Sequence, residues 1–242
     1  MRNRILYKYL DIEGGLKMLE NGTLKFTNAT KFNDPFDSHP SLIDYSNVPN
    51  RIKGNRAGEL LVKMYAGTPK RIIDSTWICC LTKRNDNLLM WSYYCNHKGI
   101  CIGLDIDKVK RSLSKYEGIP IGCPEIEVQY KNIIEKPDYF RNMNKQDFLR
   151  YQLGTKAKDW EHEEEVRLYM RVETILNLLN YDKEPYYLSI SGGCFETLYL
   201  GVKIGDKAKD EIVNAARKTN PNLTIYQMAT DTVAFKLNTE AL

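Results

Sequence analysis

Glu163 and Glu165 stand one residue apart where the chain enters the alternating run Val166-Arg167-Leu168-Tyr169, and Arg167 follows at the same spacing. On an extended backbone every second side chain points the same way, so two carboxylates and a guanidinium would share one face. Crowded carboxylates raise each other's pKa and a neighbouring arginine opposes the rise. That is the tuning found in acid/base sites and in sites that stabilise an oxocarbenium ion. The same residues also read as a solvated, ion-paired strand face of small consequence.

Two further stretches carry polar and aromatic groups in unusual density. In Phe32-Asn33-Asp34-Pro35-Phe36-Asp37, Pro35 keeps Asp34 out of a helix, and Asn and Asp side chains close turns on their own backbone. The stretch is either a structural turn pinned by its phenyl rings or the rigid lip of a site, presenting Asn33 and Asp34 to a ligand. In Leu88–Asp105, Trp91 and Tyr94 lie three apart and can face one way from a helix, and His97 follows beside Lys98 on a loop.

The elements that must position these groups are short and mixed. Strands are expected at 5–9, 24–26, 77–81, 100–104, 126–130 and 166–169, and later near 186–190, 196–200, 223–228 and 232–237. Helices are expected from Ile12 to a stop at Asn21-Gly22, then around 59–65, 88–94, 107–116 and 206–218, with 145–164 helix-like throughout. No linker or repeat divides the chain, so one α+β domain over residues 1–242 is expected, with short helices around a mostly antiparallel sheet. Neither GxGxxG nor GxxxxGK[ST] occurs, which removes the usual glycine-rich phosphate cradles.

Composition narrows the function classes. At 43% hydrophobic and 27% charged residues the chain is globular rather than disordered, and a net charge of +4 permits nucleic-acid contact without arguing for it. Six cysteines without a CxxC pair and three histidines give a zinc cage little to work with, so no metal is expected. No apolar run is long enough to span a membrane. The thiols suit a reducing, cytoplasmic setting.

Taken together, LYKY at 6–9, LKMLENGTLKF at 16–26, FNDPFD at 32–37, LLMWSYYCNHKGICIGLD at 88–105, and Lys156 with Trp160, Glu163, Glu165 and Arg167 resemble one pattern. It is that of the bacterial and phage-associated family catalogued as domain of unknown function 2971, over roughly residues 5–170. More weakly, the order strand, helix ending in Asn-Gly, strand and a later Glu-x-Glu strand resembles the ADP-ribosyltransferase superfamily. That likeness implies NAD as co-substrate, with Lys8 and its neighbour Tyr9 on the first strand holding the nucleotide. It implies Thr82 as the ordering hydroxyl and Glu165 as the catalytic carboxylate, with Glu163 upstream. Asn33, Asp34, Trp91, Tyr94, His97 and Arg167 would complete the binding surface. The implied activity is ADP-ribosyl transfer to a protein, a nucleic acid or water, in a toxin or a phage-defence or counter-defence effector.

Two other readings stand beside it. A metal-dependent nuclease or phosphodiesterase would use Asp34, Asp37, Glu163 and Glu165 as oxygen ligands. A non-catalytic nucleotide or nucleic-acid binding module would stack bases on the aromatics.

Overall fold

The computed structural model describes residues 4–50, 56–116, 119–120, 122–141, 144–171 and 185–242. Strand β1 (Ile5–Leu10) passes through helix α1 (Ile12–Asn21) to β2 (Thr23–Asn28). Asp11 caps α1 by accepting from the Gly14 amide at 2.7 Å, and Gly22, at φ 56°, ends it in the left-handed conformation that glycine adopts without strain. Helices α2 (Arg56–Ala66) and α3 (Thr68–Asp74) precede β3 (Thr76–Thr82), and α4 (Leu88–Cys95) leads to β4 (Ile100–Asp105) and α5 (Ile106–Leu113). Short strands β5 (Lys115–Tyr116), β6 (Ile119–Pro120), β7 (Glu125–Glu127) and β8 (Gln129–Lys131) follow. Then come α6 (Lys145–Gly154), β9 (Thr155–Ala157), a 3-10 segment Lys158–Glu163 and β10 (Glu165–Arg171). The C-terminal part holds β11 (Tyr186–Ser189), β12 (Phe195–Leu200), α7 (Asp206–Thr219), β13 (Thr224–Thr230) and β14 (Leu237–Ala241).

The fold is α+β, as expected. Its main sheet runs β11-β2-β3-β1-β4-β12-β13-β14, with β10 on β3 and β7 on β10, and all its pairings are antiparallel except β12 with β13. Alternation along β4 explains its layers. Ile100, Ile102 and Leu104 enter a core with Leu6, Phe26, Leu81, Leu168 and the buried faces of α1, α5 and α7. Cys101 turns the other way, to Trp91 and Met90 of α4, Tyr9 and Tyr199. Burial of this kind, at about 25 cal/mol per Å² of apolar surface, is what holds the sheet between its helices.

One edge of β3 is shared by two strands. Its start pairs with β2 (Thr27↔Ile78, Asn28↔Trp77) and its end with β1 (Tyr7↔Thr82), so the sheet forks between them. In the fork the Cys80 carbonyl receives the Lys8 ammonium at 3.0 Å in place of a ladder amide.

Three sequence expectations need correction, and one helix lies outside them. The 145–164 stretch is helical only to Gly154; Thr155–Ala157 then pairs in parallel with β8, which leaves Lys156 on a strand. The 126–130 strand is broken at Val128, because β7 pairs with β10 whereas β8 pairs with β9. Residues 231–236 form a turn rather than a strand, since the Asp231 carboxylate accepts from the amides of Val233 and Ala234 at 2.8 Å. Helix α3 goes unexpected, although Pro69 in its first turn is a usual start signal.

Candidate functional site

The fork opens into a cavity of about 190 Å³ lined by residues from distant parts of the chain. Tyr7, Lys8 and Tyr9 come from β1, and Phe32, Asn33 and Asp37 from the NDPFD turn. Cys80, Leu81 and Thr82 come from β3, Met90 and Tyr94 from α4, and Lys156, Glu163 and Glu165 from the segment leading into β10.

At the floor lies a buried ion network. Arg167 is fully buried, and its fork meets both carboxylates beside it. Its Nη1 and Nη2 donate to Asp37 at 2.8 and 2.6 Å, and its Nε and Nη2 donate to Glu165 at 2.9 Å each. The remaining Nη1 hydrogen reaches the Leu153 carbonyl at 2.7 Å, so all five guanidinium donors are used. Lys156 Nζ donates to Oε2 of Glu163 and, at 3.3 Å, to Oε2 of Glu165. The Tyr94 hydroxyl donates to Oε1 of Glu163 at 2.7 Å, and the Glu165 amide donates to the Tyr130 hydroxyl at 2.8 Å. Three buried carboxylates face two buried cations, and the Lys8 ammonium, 3.0 Å from the Cys80 carbonyl, adds a third positive charge on the cavity wall. Such a network persists only because nearly every polar atom in it is paired.

Burial alone would raise the Glu165 pKa, but the Arg167 and Lys156 charges and the Arg167 hydrogen bonds override it and hold the carboxyl down to about 2. Burial likewise pulls the Lys156 ammonium down, and Glu165 and Glu163 outweigh it and leave the group above its ordinary 10.5. Glu165 therefore serves as a fixed charge at neutral pH rather than as a proton carrier. Its folded pKa lies below its ordinary 4.5, so its stabilising contribution is complete above pH 4.5 and is lost as pH falls from there toward about 2. A melting-temperature series across that window should fall steeply in the wild type and less steeply in Glu165→Gln.

Several expected residues meet in this cavity and others do not. Lys8, Tyr9, Asn33, Thr82, Tyr94, Glu163 and Glu165 all line it. Glu163 and Glu165 come together by a different route from the one their spacing suggests. Glu163 ends the 3-10 segment and Glu164, at φ 41°, reverses the chain before β10 begins. Arg167 does join the Glu165 face, but every donor is spent on the protein, so it positions Glu165 and Asp37 and does not meet a ligand. Asp34 is buried in its own turn, where Oδ1 accepts from the Phe36 amide at 2.9 Å.

Trp91 and His97 lie outside the site. Trp91 is fully buried, donates to the Asn85 carbonyl at 2.8 Å and packs edge-on against Tyr9. His97, at φ 58°, forms the corner after α4, where its carbonyl accepts from Lys203 at 2.8 Å. A Cβ on Gly201 would collide with the His97 carbonyl, and one on Gly99 with that of Leu10, so this corner is fixed by close backbone packing.

Sequence reasoning passed over Asp37 as the partner of Arg167, Lys156 as the bridge between glutamates, and Tyr130. The carboxylates named in the nuclease reading are engaged within the protein. Asp34 accepts from the Phe36 amide and does not line the cavity, whereas the Arg167 guanidinium binds both Asp37 and Glu165 and the Lys156 ammonium binds both glutamates, so the protein's own cations hold these three carboxylates. Among the described residues no group of three or more His, Cys, Asp or Glu is arranged to hold a metal, and no helix is long and apolar enough to cross a membrane.

Residues 90–168 match the model of the family described as "Protein of unknown function (DUF2971)". That stretch takes in α4 from Met90 onward together with Lys156, Glu163, Glu165 and Arg167, and supports the family resemblance there. No curated protein and no solved structure matches the chain.

Proposed function

We propose that the fork binds NAD and cleaves its nicotinamide–ribose bond, passing ADP-ribose to an acceptor or to water. The observation that carries this reading is the Glu165 carboxylate, held ionised and oriented by Arg167 on the wall of a cavity lined by Tyr7, Tyr9, Phe32 and Tyr94. The nicotinamide ring of NAD is itself cationic, and breaking its bond to ribose moves positive charge onto the sugar. A carboxylate oriented in advance, with little water around it, stabilises that transition state more than the bound substrate. Glu165, gripped by Arg167 and facing the cavity, is such a group.

Size and charge assign the rest of the ligand. A void near 150 Å³ admits a benzene-sized ring, so a cavity of about 190 Å³ suits one substituted ring and not a dinucleotide. An open groove of about 720 Å³ adjoins it on the α1 side and shares Lys8, Tyr9 and Tyr94 with it. Lys8 thus stands where a diphosphate would pass between the two. In the reaction the C–N bond breaks with its electron pair on nicotinamide, which leaves neutral. The acceptor then adds to the ribose carbon and gives up its proton, a role for which Glu163, a second carboxylate lining the cavity, is available. The six unpaired cysteines fit action in a reducing cytoplasm, and a role in phage defence or counter-defence is part of the proposal.

Free nicotinamide released from NAD by the purified protein tests the reading; NAD-independent nucleic-acid binding without release would favour a sensor instead. Lys8→Ala should weaken NAD binding about 10- to 100-fold, as expected for losing a hydrogen bond to a charged group. Titration calorimetry checks this, and an unchanged affinity would remove Lys8 from the phosphate position.

A further inference from the structure

Tyr94 also borders a second cleft. It encloses about 420 Å³, is lined by Asn33, Tyr93, Tyr94, Asp159, Trp160 and His162, and meets the inner cavity at Asn33 and Tyr94. Rings make up most of its wall. Tyr93 and His162 have centroids 6.1 Å apart, and Trp160 and His162 6.2 Å. The cleft is held open by structure of its own: the Asn87 side chain ties α4 to the His162 carbonyl at 2.6 Å, and His162 Nδ1 lies 3.1 Å from the Asp159 carbonyl. Among the described residues the side chains of Asn33 and Asp159 make no hydrogen bond, and His162 Nε2 has no partner.

We infer that this cleft is the acceptor subsite and that it takes a nucleobase of a single-stranded nucleic acid; the acceptor role, though not the binding, rests on the function proposed above. Flat exposed rings stack on any base. An amide and a carboxylate at the rim match the donor and acceptor edge of a base, as Asn does with adenine and an acidic side chain with a cytosine amine. An arginine from a protein acceptor fits less well. The Lys156 ammonium already lies over the Trp160 ring at 4.9 Å and repels a second cation, and a guanidinium leaves the Asn33 amide hydrogens unmatched. A tyrosine side chain offers a single hydroxyl for two rim groups. A base seated here points its edge through the Asn33–Tyr94 passage toward the ribose. Its ring or exocyclic N–H attacks C1′, the nicotinamide bond breaks with its electrons on nicotinamide, and the nitrogen's proton passes to Glu163 and then to solvent.

Tryptophan fluorescence reads this cleft directly, because Trp77 and Trp91 are buried and Trp160 is half-exposed. Short single-stranded oligonucleotides of one base each, added without NAD, should quench emission saturably, with one base preferred. Tyr93→Ala and Asn33→Ala, followed by anisotropy of a labelled oligonucleotide, should bind about 5- to 100-fold more weakly, the loss expected for a stacked or edge-paired base. Tyr93→Ala should keep wild-type nicotinamide release. No binding, equal binding by the variants, or binding of arginine- or tyrosine-containing peptides instead of oligonucleotides would overturn the inference. Base binding without nicotinamide release would leave the subsite standing and remove the NAD reading, whereas release without base binding would do the reverse.

Discussion

Arg167→Met should be the most destabilising single change in the site, costing about 3–5 kcal/mol, because it leaves Asp37 and Glu165 buried and unpaired. For a chain of this length that corresponds to a fall of roughly 6–20 °C in melting temperature. Arg167 has no exposed surface and makes four donations to carboxylates, one to the Leu153 carbonyl and a long one, at 3.5 Å, to the Ser38 hydroxyl. Arg167→Lys keeps the charge but lacks the planar fork, so it should recover only part of the loss. Thermal denaturation of the three proteins checks the order. If the methionine variant melts within a degree or two of wild type, the network is not what fixes the NDPFD turn to β10.

Glu165→Gln should reduce nicotinamide release by about a hundred- to a thousand-fold, the usual effect of removing a preorganised electrostatic group. The shape is nearly kept, but Glu165 is buried and bonded to Arg167 and Lys156, so a stability cost of about 1–3 kcal/mol accompanies the change. The rate must therefore be read at a temperature where the variant is still folded. Glu163→Gln should spare hydrolysis and abolish transfer, since Glu163 receives the acceptor's proton. Equal losses in the two variants, for hydrolysis and transfer alike, would mean that the glutamates act only as parts of one structural network.

The central strands were legible because their patterns are continuous: β3 and β4 are apolar runs, and β1 and β10 alternate. The turn at NDPFD was legible from Pro35 and its flanking Asn and Asp residues. What the turn is fastened to was not. Asp37 meets Arg167 across 130 positions, and no local periodicity encodes such a contact. Lys156 was hidden by its context, since the helix-like stretch 145–164 runs through it, and only the pairing of β9 with β8 makes it a strand residue facing the glutamates. Trp91 and Tyr94 show the limit of spacing arguments on an apolar helix. Both lie near one face, yet Trp91 packs on Tyr9 in the core while Tyr94 reaches Glu163. Glu164 takes the left-handed conformation, at φ 41°, that favours glycine, and a glutamate at that position gives no sign of it in advance.

The most direct measurement is release of free nicotinamide from NAD by the wild-type protein, followed by chromatography, with Glu165→Gln as the paired control. The proposed site predicts steady release by the wild type and a loss of at least about a hundred-fold in the variant. No release by a protein with native melting behaviour, or equal release by both, would contradict it.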